Sequence, residues 1–180
     1  MVRILPMVFW VSLVAAMAVY GVMLLWTLPA ISQAAGGLMP FDMRPGGYTF
    51  AEAQAFLAAL TPEGRHLYLT AQHRLDTAYP LLLAVALGSG LVWLAPAVLG
   101  RARWLLAILP VPGALFDYLE NLMVGGMLRL DGIDSEGVGA ASLFTLLKSA
   151  FTGLAMTVFL ALAVYAAVRR WRGRHRHRQA

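Results

Sequence analysis

Four times in its 180 residues this chain runs apolar for longer than about 18 residues, the length at which an α-helix crosses a bilayer. Lipid offers the backbone no hydrogen-bond partners, so such runs must satisfy their own N–H and C=O groups, as helices do. Only 13% of the residues are charged and 60% are hydrophobic, where a soluble domain would carry roughly a quarter charged residues. The expectation is an all-α, multi-pass membrane protein.

The most informative run is Leu105 to Leu130, LLAILPVPGALFDYLENLMVGGMLRL, because Asp117, Glu120 and Asn121 interrupt its middle. An ionisable side chain at that depth costs at least ~2.5–3.5 kcal/mol on insertion, so each one marks a functional hypothesis. The rest of the chain can be read as what surrounds and partners these groups.

Residues 1–30 form the first span. Arg3 precedes an apolar core too long for a signal-peptide h-region, so an uncleaved helix is expected, with Trp10 and Trp26 near its ends. Ser12 and Ala16 form a small-xxx-small pair for close helix contact. Residues 31–61 are the one sizeable extramembrane piece. GGLMPFDMRPGGYT should be irregular. The stretch after it has Thr49 as N-cap and Glu52 to complete a capping box. Phe50, Ala53, Phe56, Leu57 and Leu60 then fall at helical spacing. This predicts an amphipathic helix lying on the membrane surface, or closing over the bundle as a lid.

Thr61, Pro62 and Glu63 open a second helix at once, assigned to residues 62–99, with its membrane part from about Thr77. Arg65, Tyr68, Gln72, Asp76 and Tyr79 share one face of it and suggest an entrance or a docking surface. Pro80 removes a backbone donor just after, and Gly88, Ser89 and Gly90 admit a close neighbour. Gly100–Arg103 reads as a tight basic loop, with Trp93 and Trp104 as interfacial anchors. The third span occupies 100–130, with Pro110 and Pro112 in its first half. A short acidic loop, 131–140, leads to the fourth span and basic tail, 141–180.

Arg3, the Arg101/Arg103 loop and a tail with arginines at 169, 170, 172, 174, 176 and 178 contrast with Asp131, Asp134 and Glu136. By the positive-inside rule both termini are cytoplasmic, the helix after Thr49 is periplasmic, and the location is the bacterial inner (cytoplasmic) membrane. The net charge of +5 is concentrated in that tail, which fits an anchor on anionic lipid rather than nucleic acid. His175 and His177 sit within it as part of a solvated run.

Depth brings the polar groups together. Counted at 1.5 Å per residue, Glu120 and Asn121 lie ~10–12 Å below the outer surface, Asp117 ~16 Å, and Lys148, the chain's sole lysine, ~10 Å. Lys148 can therefore pair with Glu120 or Asp117, Asn121 can satisfy leftover groups, and Asp76 and Tyr79 enter the same half. One cluster made by helices two, three and four is the prediction.

Three explanations of that cluster stand open. In the first, Lys148 and an acid form an ion pair that fixes helix register, with Asn121 bonded across helices. The cluster can line an outward-facing cavity that binds or processes a lipophilic or small polar ligand. Asp117 or Glu120 is then the base, Asp76 a second acid and Lys148 the electrostatic partner, with Asn121, Tyr79, Arg65, Tyr68 and Gln72 contacting the ligand. Or His73-xx-Asp76 and Asp117-xx-Glu120 can hold a metal, as paired carboxylates do in helical bundles. A further alternative is an accessory subunit of a larger membrane complex or a homo-oligomer. Thr145, Ser149, Gly153 and Thr157 on the fourth helix are read as a close-packing face.

Absent cysteines remove thiol chemistry and disulfides. No GxSxG, HExxH or Walker loop occurs, and His66 and His73 are poorly placed for heme, so no cofactor is expected. The motifs PFDMRPGGY (Pro40–Tyr48), GRHLY (Gly64–Tyr68), LDTAYP (Leu75–Pro80) and FDYLEN (Phe116–Asn121) resemble a pattern in small, uncharacterised bacterial four-helix membrane proteins. The resemblance spans residues 40–121, implies that they act as one unit, and brings no activity with it.

Overall fold

The computed structural model describes residues 4–129 and 133–176, with side chains to Arg172. Arg3, Asp131, His177 and Arg178 lie outside the described residues, as do the side chains of Arg174, His175 and Arg176. Among the described residues every regular element is helical, and four helices are long and apolar enough to cross a membrane.

Helix α1, Leu5–Ala34, extends beyond the expected limit near Pro29. A proline there should end the helix, because it has no N–H and crowds the preceding turn. The chain avoids this by widening one turn over Met23–Thr27, where the Leu28 N–H bonds the Met23 carbonyl five residues back. The ladder has already shifted where Pro29 brings no donor. The helix then ends on Gly36 and Gly37, whose φ of 65° and 87° are left-handed, with the Gly37 N–H on the Ser32 carbonyl.

Helix α2, Phe50–Ala59, opens on the expected capping box: Thr49 Oγ1 accepts from the Glu52 N–H, and Glu52 accepts from the Thr49 N–H at 2.7 Å. It is no free surface helix. Ala53, Phe56 and Leu60 are buried, whereas Phe50, expected on that inner face, is exposed. With Phe41, Tyr48 and Tyr68 the Phe56 ring builds an aromatic plug over one end of the bundle. Full burial of Phe41 or Phe56 contributes roughly 1.5–3 kcal/mol each. Gly47, at φ 79°, lets the loop lie on the last helix, where the Tyr48 N–H bonds Ser142 Oγ at 2.9 Å.

Helix α3, Pro62–Leu94, starts on Thr61, carries a second widened turn at Tyr68–Gln72, and stops before Pro96. Beyond it the structure departs from the expected loop and long third helix. Residues Ala97–Ile108 wind in 3-10 turns broken at Gly100, and the α-helix proper, α4, runs Val111–Arg129. Pro110 and Pro112 fall at its start instead of inside it, where their missing donors cost nothing. The last helix, α5, is Ser135–Arg176.

Helix α1 packs along α3 and α4 along α5, while α3 also touches α4 and α5. Ser12 and Ala16 are buried. A side chain at Gly90 would strike the Phe9 and Phe159 rings, and one at Gly113 would meet Thr152 of α5. The expected small-residue face of α5 divides: Thr145 is buried, but Gly153 and Thr157 are exposed and nothing lies near Gly153. Close approach to α4 runs through Thr152 instead, because Gly113 supplies the space there.

Candidate functional site

The i, i+3 spacing of Asp117 and Glu120 turns both carboxylates of α4 toward α5. Lys148 Nζ lies 3.1 Å from Asp117 Oδ1 and 2.5 Å from Glu120 Oε2, so one ammonium bridges two acids. Thr145, one turn before it on the same face, donates to Glu120 Oε1 at 2.7 Å. Glu120 is fully buried by this arrangement. The Tyr48 phenol is close enough to feel the Glu120 charge; burial first, and that charge second, raise it above its ordinary value, so it stays a neutral hydroxyl.

Asp76 of α3 enters from the other side. It is 7% exposed, and both of its oxygens accept from one donor, Gln72 Nε2, at 2.9 and 3.0 Å. Gln72 Oε1 in turn accepts from Thr27 Oγ1. Thr27 and Gln72 sit in the two widened turns of α1 and α3, so both helical irregularities meet beside the same carboxylate. Such one-turn widenings recur at functional sites in helical proteins.

Pro80 adds a third irregularity. In an α-helix the N–H of residue 80 would bond the carbonyl of Asp76, and proline has none. Asn121 Nδ2 reaches across from α4 and donates to that carbonyl at 3.1 Å. One residue on, the Tyr118 hydroxyl donates to the Thr77 carbonyl at 2.8 Å and also faces the Leu81 N–H. Asn121 thus bonds across helices, as the register-fixing reading has it, to the α3 backbone and not to Lys148.

Between these groups lies a cavity of about 360 Å³. Its wall combines Asp42, Asp76, Tyr79, Asp117 and Lys148 with Tyr20, Met23, Leu24, Leu28, Met43 and Pro45. Met23 and Leu28 are buried, whereas Tyr20, Leu24 and Met43 are 38–40% exposed and form the mouth. Leu24 is ten residues short of the end of α1, so the mouth opens ~15 Å inside the length of that helix.

Of the residues singled out from sequence, Asp76, Tyr79, Asp117 and Lys148 face this cavity. Glu120 is not part of that wall; it is fully buried and contacts Lys148. Gln72 and Tyr68 are buried one layer back, so the expected exposed entrance along α3 is an internal face. Arg65 is elsewhere: its Nη1 donates to the Leu128 carbonyl at 2.6 Å and caps the last turn of α4. Asp42 was not foreseen. It lies in the irregular loop, where no periodicity assigns a side to its carboxylate, and it accepts from the Tyr68 hydroxyl at 2.5 Å. The signal available was an acid flanked by Pro40, Phe41 and Tyr48, residues that bury a loop rather than solvate it.

Asp42 and Asp76 have no ion-pair partner among the described residues, whereas Lys148 is shared by Asp117 and Glu120. The cavity thus offers carboxylate acceptors, a neutral phenol and an apolar wall. No group of three or more histidine, aspartate or glutamate side chains among the described residues is close enough to hold a metal ion. Compared with protein-family models, with curated proteins and with solved structures, the chain matches none.

Proposed function

We propose that this is a multi-pass protein of the bacterial inner membrane, with both termini cytoplasmic and the α2 end periplasmic. Its cavity binds or processes a lipophilic or small polar ligand drawn from the outer leaflet. One observation carries the reading: a single wall joins carboxylates and an ammonium to part-exposed Leu24 and Met43 at the mouth. An amphiphile enters such a mouth sideways and meets polar groups with its head. The volume is within the ~300–1,000 Å³ range of small-molecule sites. The charge asymmetry of the ends supports the orientation.

Native mass spectrometry of the full chain, gently extracted from its own membrane, tests this. The expected spectrum shows a bound small molecule that is lost in Leu24→Trp, which fills the mouth. A bare mass for the wild type overturns the reading. A reporter fused to the C-terminus should read cytoplasmic; a periplasmic signal overturns the orientation. The outward-facing Gly153 and Thr157 favour a second reading, a subunit that packs α5 against another membrane helix. That would appear in the same spectrum as a larger assembly.

A further inference from the structure

Resting on that reading of the cavity, we infer that its ligand is a cationic amphiphile: an ammonium head held between Asp42, Asp76 and the Tyr20–Tyr79 pair, with a hydrocarbon tail leaving past Leu24 and Met43.

Charge gives the first reason. Three carboxylates, Asp42, Asp76 and Asp117, line the cavity with one ammonium, Lys148, which a fourth, Glu120, also contacts. Lys148 is already held by Asp117 and Glu120 at 3.1 and 2.5 Å, so it has little to offer an anion. Asp76 is more than nine-tenths buried, faces the cavity, and meets only the Gln72 amide, one donor for two oxygens. A carboxylate can accept about four hydrogen bonds, and among the described residues only the Gln72 amide is bonded to this one, so an incoming ammonium supplies both the donors and the counter-charge that favour its ionised form. An anionic head would meet like charge, and a neutral one would leave the carboxylate without a counter-ion.

The aromatic wall gives the second. The Tyr20 and Tyr79 rings both line the cavity, stacked with centroids 5.4 Å apart and planes 23° from parallel. An aromatic face carries the negative side of the ring quadrupole, which attracts ammonium groups, and two such rings stand in this wall. Carboxylate plus aromatic faces is the chemistry that recognises an alkylammonium, and nothing in the wall selects for sulfate, phosphate or carboxylate. The tail is dictated by the mouth, where Tyr20, Leu24 and Met43 remain 38–40% exposed.

The test uses the full chain in dodecyl maltoside micelles, with empty micelles subtracted, and three probes of one chain length: dodecylammonium, dodecanol and dodecyl sulfate. Calorimetric titration should show the ammonium binding saturably at one per chain, about 10-fold or more tighter than the alcohol. Asp76→Asn should weaken the ammonium by about 10-fold and leave the alcohol unchanged. Tyr79→Leu should also weaken the ammonium selectively, and it carries the comparison where Asp76→Asn is not recovered folded. If alcohol or sulfate binds as tightly as the ammonium, and Leu24→Trp abolishes both, the cavity stands and its charge preference is refuted. If no probe saturates, or Leu24→Trp leaves binding unchanged, the cavity reading itself fails.

Discussion

Removing the Lys148 ammonium should cost more than removing either acid it serves. The group is 16% exposed and contacts a fully buried Glu120 and an 18% exposed Asp117, so Lys148→Met strands two carboxylates at once. Breaking a buried pair by deleting one partner typically costs ~3–5 kcal/mol, because the remaining charge has lost its compensation. Here the value should fall in the upper part of that range. Glu120→Gln is milder, about 1–2 kcal/mol: Lys148 keeps Asp117, and the new amide oxygen still accepts from Thr145. The double variant Lys148→Met/Glu120→Gln leaves only the partly exposed Asp117 unpaired, and should regain about 2 kcal/mol relative to the sum of the singles. Reversible unfolding in mixed micelles, titrated with a denaturing detergent, measures all four proteins. A Lys148→Met no costlier than Glu120→Gln, or singles that simply add, would show that the ammonium does not bridge the two acids.

Asn121→Leu should destabilise by about 1–3 kcal/mol through the Asp76 carbonyl it leaves bare, and Pro80→Ala should remove most of that cost by restoring an N–H; the same unfolding assay reads the cycle. Gly113→Val should cost about 1–3 kcal/mol, since its side chain would push α4 off Thr152; an unchanged unfolding midpoint would contradict the packing. The Glu52 carboxyl is held below its ordinary value of 4.5, chiefly by the Thr49 backbone N–H, then by the Thr49 hydroxyl and Arg44. A depressed value means the cap contributes above pH 4.5 and is lost as pH falls below it. Amide protection factors at the start of α2, taken relative to the intrinsic exchange rate at each pH, should therefore fall in acid, and Glu52→Gln should abolish that pH dependence.

The spans were legible because hydropathy reports burial in lipid directly, and the meeting of Lys148 with Asp117 and Glu120 followed from depth alone. A short loop fixes the relative height of two antiparallel helices, so counting residues from it locates side chains to within a turn. What sequence did not disclose was backbone irregularity. A turn closed over five residues has no compositional mark, so the widenings at Met23–Thr27 and Tyr68–Gln72 were invisible, and the end of α1 was placed too early. Sequence puts Pro110 and Pro112 in the first half of a helix, whereas they stand at the start of one. Asp42 escaped because a loop has no period from which to infer which way a carboxylate points. The outward half of the α5 stripe escaped because Gly153 and Thr157 look the same on either side of a helix.

The three departures from regular helix share a location, and their repairs explain why the site can exist in an apolar bundle. Non-helical backbone inside a bilayer is tolerated only where protein or a water-filled cavity satisfies it. The Pro80 departure is answered from α4, where Asn121 meets the Asp76 carbonyl and Tyr118 the Thr77 carbonyl, while Thr27 and Gln72, one from each widened turn, bond each other. The polar residues around the cavity thus fall into two sets. Gln72, Asn121 and Tyr118 hold a distorted α3 together, while Asp42, Asp76, Tyr79 and Asp117 face the space that the distortion leaves. Substitutions in the first set should act on folding before they act on any ligand, and only the second set can separate binding from stability.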